Sequence, residues 1–198
     1  VGNTLLTVQT VFADAQGSDT ANDAATDGIH SSQDDYVVAS AILTVTKTAV
    51  THWDPFNGNT NPKAIPGAYI QYTITVANAA GATANAQLTT ITDTLTATVI
   101  AIDPDLILDT GVAPATGPPE NAAGNGFRVT YVSATRTLPA SPSYFTTLTA
   151  DGIVHDGSAT GGAITATMTT VLSGDGVVAD GELPPGDSVS IVFNVIIQ

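Results

Sequence analysis

The sequence predicts an all-β sandwich, and three observations support this. Short runs with strand-like alternation recur along the chain between turn residues, and no stretch of useful length has helical periodicity. Lys and Glu, which usually supply the exposed faces of long helices, are scarce. With 198 residues, of which 43% are hydrophobic, the chain can bury one sizeable core. We therefore expect one β-domain with extensions.

Eight strand-like runs follow one another after residue 35. They cover residues 36–50, 68–81, 86–95, 96–102, 127–135, 144–150, 163–172 and 188–197. The runs at 68–81 and 188–197 alternate most clearly, so one face of each should lie in the core. The opposite face is expected to be solvated or shared with a partner. The predicted core residues are Ile70, Tyr72, Ile74, Val76, Ile191, Phe193 and Val195.

The first 35 residues have a different organisation. Residues 1–13 read as a strand with apolar residues on both faces, Leu6, Val8 and Phe12 on one and Leu5 and Val11 on the other. Residues 14–35 are rich in Asp, Ser, Ala and Gly and are predicted to be a polar tether. A strand with two apolar faces needs cover on both sides. The predicted organisation is thus a strand at 1–13, a tether at 14–35 and a sandwich at 36–198.

The charge balance excludes several classes of partner. Four cations, Lys47, Lys63, Arg128 and Arg136, face 18 carboxylates, for a net charge of −14. Such scattered cations do not suit nucleic acid or anionic membrane surfaces. Cysteine is absent, so no disulfide or thiolate metal site is possible. No run approaches the roughly 20 apolar residues of a membrane helix, and a start at Val1 without a leader suggests a mature, secreted or cell-surface chain.

Four landmarks occur in a fixed order along the chain. They are V-x-K-T at 45–48, P-G-x-x-I-x-Y-T-I-x-V-x-N at 66–78, T-D-x-L at 92–95 and L-x-P-G-x-S at 183–188. Pro66-Gly67 and Pro185-Gly186 are suited to turns before strands. The short side chains of residues 92–94 are suited to satisfying backbone donors where a strand ends. All of these landmarks are predicted to be structural.

In order and spacing, these landmarks resemble the bacterial conserved-repeat domain, a family known as domain of unknown function eleven. The resemblance extends from about Ala41 to Gln198. It implies an immunoglobulin-like β-sandwich in a secreted or cell-surface protein, and it implies no particular activity. The residues before Ala41 lie outside the resemblance, so a special role of this chain is to be sought there.

Catalytic chemistry is not expected. A G-x-S-x-G nucleophile motif is absent, and glycine-rich phosphate motifs lack their strand and helix context. No cofactor is predicted. Calcium is the one ligand left open, because Asp151, Asp156, Asp175 and Asp180 occur in the similar turns DGIVHDG and DGVVADG. An aromatic glycan platform at Trp53, Phe56 and Tyr69 is the other open alternative.

Two functional hypotheses follow. In the first, the chain is an extracellular, pilus-like filament subunit that polymerises by donating its N-terminal strand to the next copy. Its interface residues would be Leu5, Leu6, Val8, Val11 and Phe12. In the second, the strand stays in its own domain, and the chain is a surface adhesion or glycan-binding module. A 22-residue tether, spanning roughly 70 Å when extended, can reach either a neighbouring copy or its own domain.

Overall fold

The protein forms two compact units, one ending at Ser40 and the other extending from Ala41 to Gln198. A computed structural model describes residues 4–11, 29–95, 100–102, 125–133, 136, 143–146, 151–174 and 176–198. Most of these residues lie in antiparallel strands, and the helical structure among them is limited to a single turn. The prediction of an all-β chain is confirmed.

The first unit contains a two-stranded antiparallel sheet. Strand β1 (Thr4–Val11) pairs with β2 (Ile29–Tyr36). The predicted tether at 14–35 is therefore wrong over its last residues, which form most of β2, while residues 12–28 lie outside the described part of the chain. The sequence IHSSQDDY has low strand propensity, so only its pairing with β1 identifies it as a strand.

One sheet of the second unit has six strands. Its order is β3-β4-β13-β8-β9, and β7 pairs with the end of β13 beyond β8. The strands are β3 (Leu43–Trp53), β4 (Tyr69–Asn78), β7 (Ile100–Ile102), β8 (Asn125–Val132), β9 (Ser143–Thr146) and β13 (Ser188–Ile197). The first long strand thus begins at Leu43, later than the predicted run from residue 36.

A smaller sheet covers part of this one. It contains β6 (Thr90–Leu95), β10 (Ile153–His155) and β11 (Gly162–Thr167), in the order β10-β11-β6. Two short strands, β5 (Ala86–Gln87) and β12 (Glu182–Leu183), pair beside it. The run at 163–172 was predicted to be one strand. It instead ends at Thr167 and continues as a helical turn, α1 (Met168–Val171), which buries Met168.

The core lies between the two sheets and contains the predicted residues. Six of them are buried, and Tyr72 is partly buried against the same cluster. The Phe193 ring lies 5.6 Å from that of Tyr72 and 5.9 Å from that of Phe127. On the opposite face of β13, Val192 and Asn194 are buried as well. The prediction of a solvated or partner-covered face is wrong there, because Tyr144 packs on Val192 within the same chain.

Two glycine turns precede the two central strands. Gly67 and Gly186, at the two P-G steps that were predicted to form turns, have φ values of 84° and 86°, a left-handed conformation that glycine adopts without strain. Behind the second turn, the buried Asp187 carboxylate accepts a hydrogen bond from the Tyr131 hydroxyl. Arg136 donates to that hydroxyl over 3.1 Å and to the carbonyl of Glu182 over 2.9 Å. Burial and the Asp187 carboxylate raise the pKa of Tyr131.

The position of Phe193 between two aromatic rings makes it a test of the core. Phe193→Ala should lower the free energy of unfolding by roughly 3–5 kcal/mol, because it leaves a cavity between the sheets. Urea denaturation of the purified protein measures this change. Phe56→Ala serves as the control, since Phe56 is 85% exposed and its loss should change stability by no more than about 0.5 kcal/mol. An equal effect of the two substitutions would contradict the described core.

Candidate interaction surface

The two sheets of the sandwich differ in width. The large sheet continues through β4 to β3, whereas the small sheet ends at β6. Strand β10, at the other end of the small sheet, lies close to β9. The β10 end of the small sheet therefore lies over the β9 end of the large sheet, and β6 lies on the same side of the sandwich as β3. Strand β3 extends past the cover that the small sheet provides.

The face of β3 that points toward the small sheet is consequently exposed. Leu43, Val45, Lys47 and Ala49 alternate along β3, and we call these four residues the open strip. Their pairing partners on the neighbouring strand β4 belong to or border the core; they are Asn78, Val76, Ile74 and Tyr72. Nevertheless Leu43 is 46% exposed and Val45 is 65% exposed. Apolar side chains thus lie on a core-facing surface that nothing in the described part of the chain covers.

One ion pair connects the open strip to the small sheet. The Lys47 ammonium nitrogen lies 2.8 and 2.6 Å from the two carboxylate oxygens of Asp93 on β6. The same nitrogen lies 4.4 Å from the centre of the Tyr72 ring. Residues 92–94 were expected to satisfy backbone donors at a strand end, and this is wrong: they lie within β6, and Asp93 accepts from Lys47. The sequence signal was a lone charge in each of two otherwise neutral strands.

Each sheet also ends in an unpaired strand on this side. In the described ranges, β3 pairs with β4 alone and β6 pairs with β11 alone. Each strand therefore keeps one edge of N–H and C=O groups available for pairing. Open edges beside exposed apolar side chains form a surface that an additional strand can occupy.

The predicted interface residues lie on the other unit. Leu5, Leu6, Val8 and Val11 belong to β1, and Phe12 lies outside the described residues. In the register of the β1–β2 pair, Leu6 lies opposite Asp34 and Val8 opposite Ser32. The apolar strand is therefore paired with a polar one within its own chain, a pairing that the sequence did not predict.

A second exposed feature is the loop after β3. The side chain of Asp54 is inaccessible to solvent and accepts from the backbone N–H groups of Phe56, Asn57 and Lys63, and from the side-chain amide of Asn57. Burial opposes ionisation, but these hydrogen bonds outweigh it and hold the pKa of Asp54 at about 2. The loop presents Phe56 to solvent.

The predicted aromatic platform is only partly assembled. Trp53 and Tyr69 are in edge contact, with ring centres 6.0 Å apart. Phe56 is directed to solvent from the adjoining loop.

The calcium candidates are distributed over three places in the structure. Both carboxylate oxygens of Asp156 accept backbone N–H bonds, from Ser158 and Ala163. The Ser158 side chain and these two N–H groups hold the pKa of Asp156 at about 2. Asp151 is half-buried before β10, Asp180 is exposed near β12, and Asp175 lies outside the described residues. Where the chain is described, no three metal-ligating side chains gather. Calcium binding stays a prediction.

Comparison with known proteins does not assign the chain to a family, because no family model and no curated protein matches it. The described residues include no helix that is long and apolar enough to cross a membrane. The function must therefore be argued from the surfaces described above.

The low pKa of Asp54 predicts a pH dependence of stability. The carboxylate is held ionised in the fold, so its contribution is present above its unfolded pKa near 3.8 and is lost as the pH falls through about 2. Asp54→Asn should therefore melt below the wild type at pH 5 to 7, and the difference should shrink between pH 4 and pH 2. Calorimetry across this range provides the measurement. A difference that stays constant down to pH 2 would contradict the assignment.

Proposed function

We propose that the chain is an extracellular structural protein, a filament subunit that polymerises by donating its N-terminal strand to the next copy. The observation that carries the proposal is the open strip, a core-facing surface with exposed Leu43 and Val45 beside two strand edges that no described strand pairs with. A sandwich with this gap presents both requirements for strand addition, backbone groups that need partners and apolar side chains that need cover.

The donor side supports the same proposal. Strand β1 belongs to a different compact unit from the sandwich and is paired with the polar strand β2. A two-stranded sheet is by itself only marginally stable in water. Opposite Leu6 and Val8 lie Asp34 and Ser32, pairs that contribute little cross-strand stabilisation. β1 can therefore exchange β2 for a better partner at low cost.

Apolar burial decides the direction of this exchange. The number of backbone hydrogen bonds is similar before and after β1 changes partner, so those bonds nearly cancel. Covering an apolar side chain contributes about 2 kcal/mol, and the exposed Leu43 and Val45 on the acceptor would gain cover. These gains must exceed the entropy lost when two copies join. A chain of such contacts does not close on itself and generates a filament.

Sequence evidence supports the location and the finer fold in this proposal. The landmarks from V-x-K-T to L-x-P-G-x-S resemble the conserved-repeat domain, which implies an immunoglobulin-like sandwich at the bacterial cell surface. Scattered cations and a net charge of −14 do not suit binding to nucleic acid or anionic membranes. The partner in this proposal is therefore another copy of the chain, and no catalytic role is included.

One observation favours the alternative of a self-contained adhesion or glycan-binding module. Phe56 is 85% exposed on a loop that the buried Asp54 carboxylate holds in place. An immobilised, exposed aromatic ring is suited to contact with a sugar face or a protein partner. In that case β1 would stay with β2 in its own chain.

Deletion of residues 1–13 separates the two functions. The wild type should form filaments that negative-stain imaging detects, whereas the deletion variant should stay monomeric and melt at a lower temperature than the filament. A synthetic peptide of residues 1–13 should bind the variant and raise its melting temperature without restoring filaments, because a peptide covers the open strip but links no copies. The same peptide carrying Leu6→Asn and Val8→Asn is the control and should not bind.

Two outcomes would contradict strand donation. Filaments formed by the deletion variant would show that another surface drives assembly. A monomeric wild type whose melting temperature is independent of protein concentration would instead support the self-contained module.

A further inference from the structure

We infer that the donated strand pairs with the free edge of β6, in the small sheet, rather than with the free edge of β3. This inference deepens the proposed function and rests on it. Both edges are unpaired among the described strands, so the choice between them has to come from the side chains that each position would cover.

Pairing with β6 covers the open strip. Neighbouring strands lie about 4.8 Å apart, so a strand next to β6 widens the small sheet by one position on the side of β3. It would then lie across the sandwich from Leu43, Val45 and Ala49. A strand added to β3 would instead widen the large sheet and leave Val45, now 65% exposed, without cover. Only the first position completes the sandwich.

The length and the alternation of β1 suit this position. Its eight residues extend over about 26 Å, and the open strip from Leu43 to Ala49 extends over about 20 Å. On β6 the outward positions Thr90, Thr92 and Thr94 are polar and exposed, while Ile91 and Leu95 belong to or border the core. A strand beside β6 therefore needs polar residues outward and apolar residues inward. In β1, Leu6 and Val8 share the face that would point inward, and Thr7 and Gln9 lie on the outward face, between Leu5 and Val11 at its two ends.

The charge on the open strip does not oppose such cover. Lys47 is its charged member, and its ammonium group already pairs with Asp93, whose side chain is only 15% exposed. A strand that covers the strip would therefore enclose a compensated ion pair rather than a lone cation. Since Asp93 belongs to β6, this ion pair also holds the acceptor strand in place beside the strip.

The absence of cysteine from the sequence allows a direct test with full-length double variants. One cysteine replaces Thr7 or Gln9 on β1, and the other replaces Thr92 or Thr94 on β6, where outward neighbours on adjacent strands lie within disulfide distance. After mild oxidation, at least one of the four combinations should give a ladder of species larger than dimer on non-reducing gels. The single-cysteine variants should not exceed dimer, because one thiol forms one disulfide.

A matched set places the second cysteine at Thr46 or Thr48, on the outward face of β3, and should give no ladder. A ladder from this set alone would overturn the assignment to β6 while filament formation by strand donation stands. Filaments in the microscope without a ladder from either set would likewise overturn it. A disulfide within one monomer, together with the absence of filaments, would mean that the strand inserts into its own domain, and the proposed function would fail as well.

Discussion

The unequal width of the two sheets is the constraint on which the surface of this protein depends. Strands β4, β13 and β8 have a second layer above them, and their inward residues are buried. β3 has the same alternation and the same register as its neighbours but lies beyond β6, so its inward residues face solvent. Among the described strands, the small sheet ends before it covers β3, which accounts for the exposed Leu43 and Val45 without any irregularity in β3 along the open strip.

Two of the four cations, Lys47 and Arg136, connect parts of the sandwich. Lys47 connects the two sheets through Asp93, and its ammonium group lies over the Tyr72 ring, 4.4 Å from the ring centre. Arg136 is buried and holds Tyr131, which in turn donates to Asp187. The whole chain carries 18 carboxylates against four cations, so negative charge predominates. Copies of the chain therefore repel one another in general, and the proposed association would depend on specific backbone and apolar contacts.

The local sequence pattern was sufficient to predict those parts of the fold that are determined by residues close together in sequence. Strict alternation at 68–81 and 188–197 identified the inner faces of β4 and β13, because a pleated strand places every second residue on the same side. The P-G steps identified the turns before β4 and β13, where Gly67 and Gly186 adopt left-handed conformations. The same pattern predicted too long a strand at 163–172. Met168 and Leu172 are apolar and buried, and apolar residues at these positions fit a strand as well as a helical turn.

The sequence by itself determined the all-β class, the core residues of the central strands and the apolar character of β1. The tertiary structure alone decided which strands lie at the sheet edges, that Lys47 meets Asp93 and that β1 has a polar partner in its own chain. Alternation specifies which face of a strand is apolar, but whether that face is covered depends on how many strands the opposite sheet contains. For the same reason V-x-K-T and T-D-x-L could be recognised as landmarks, while their contact across the sandwich could not.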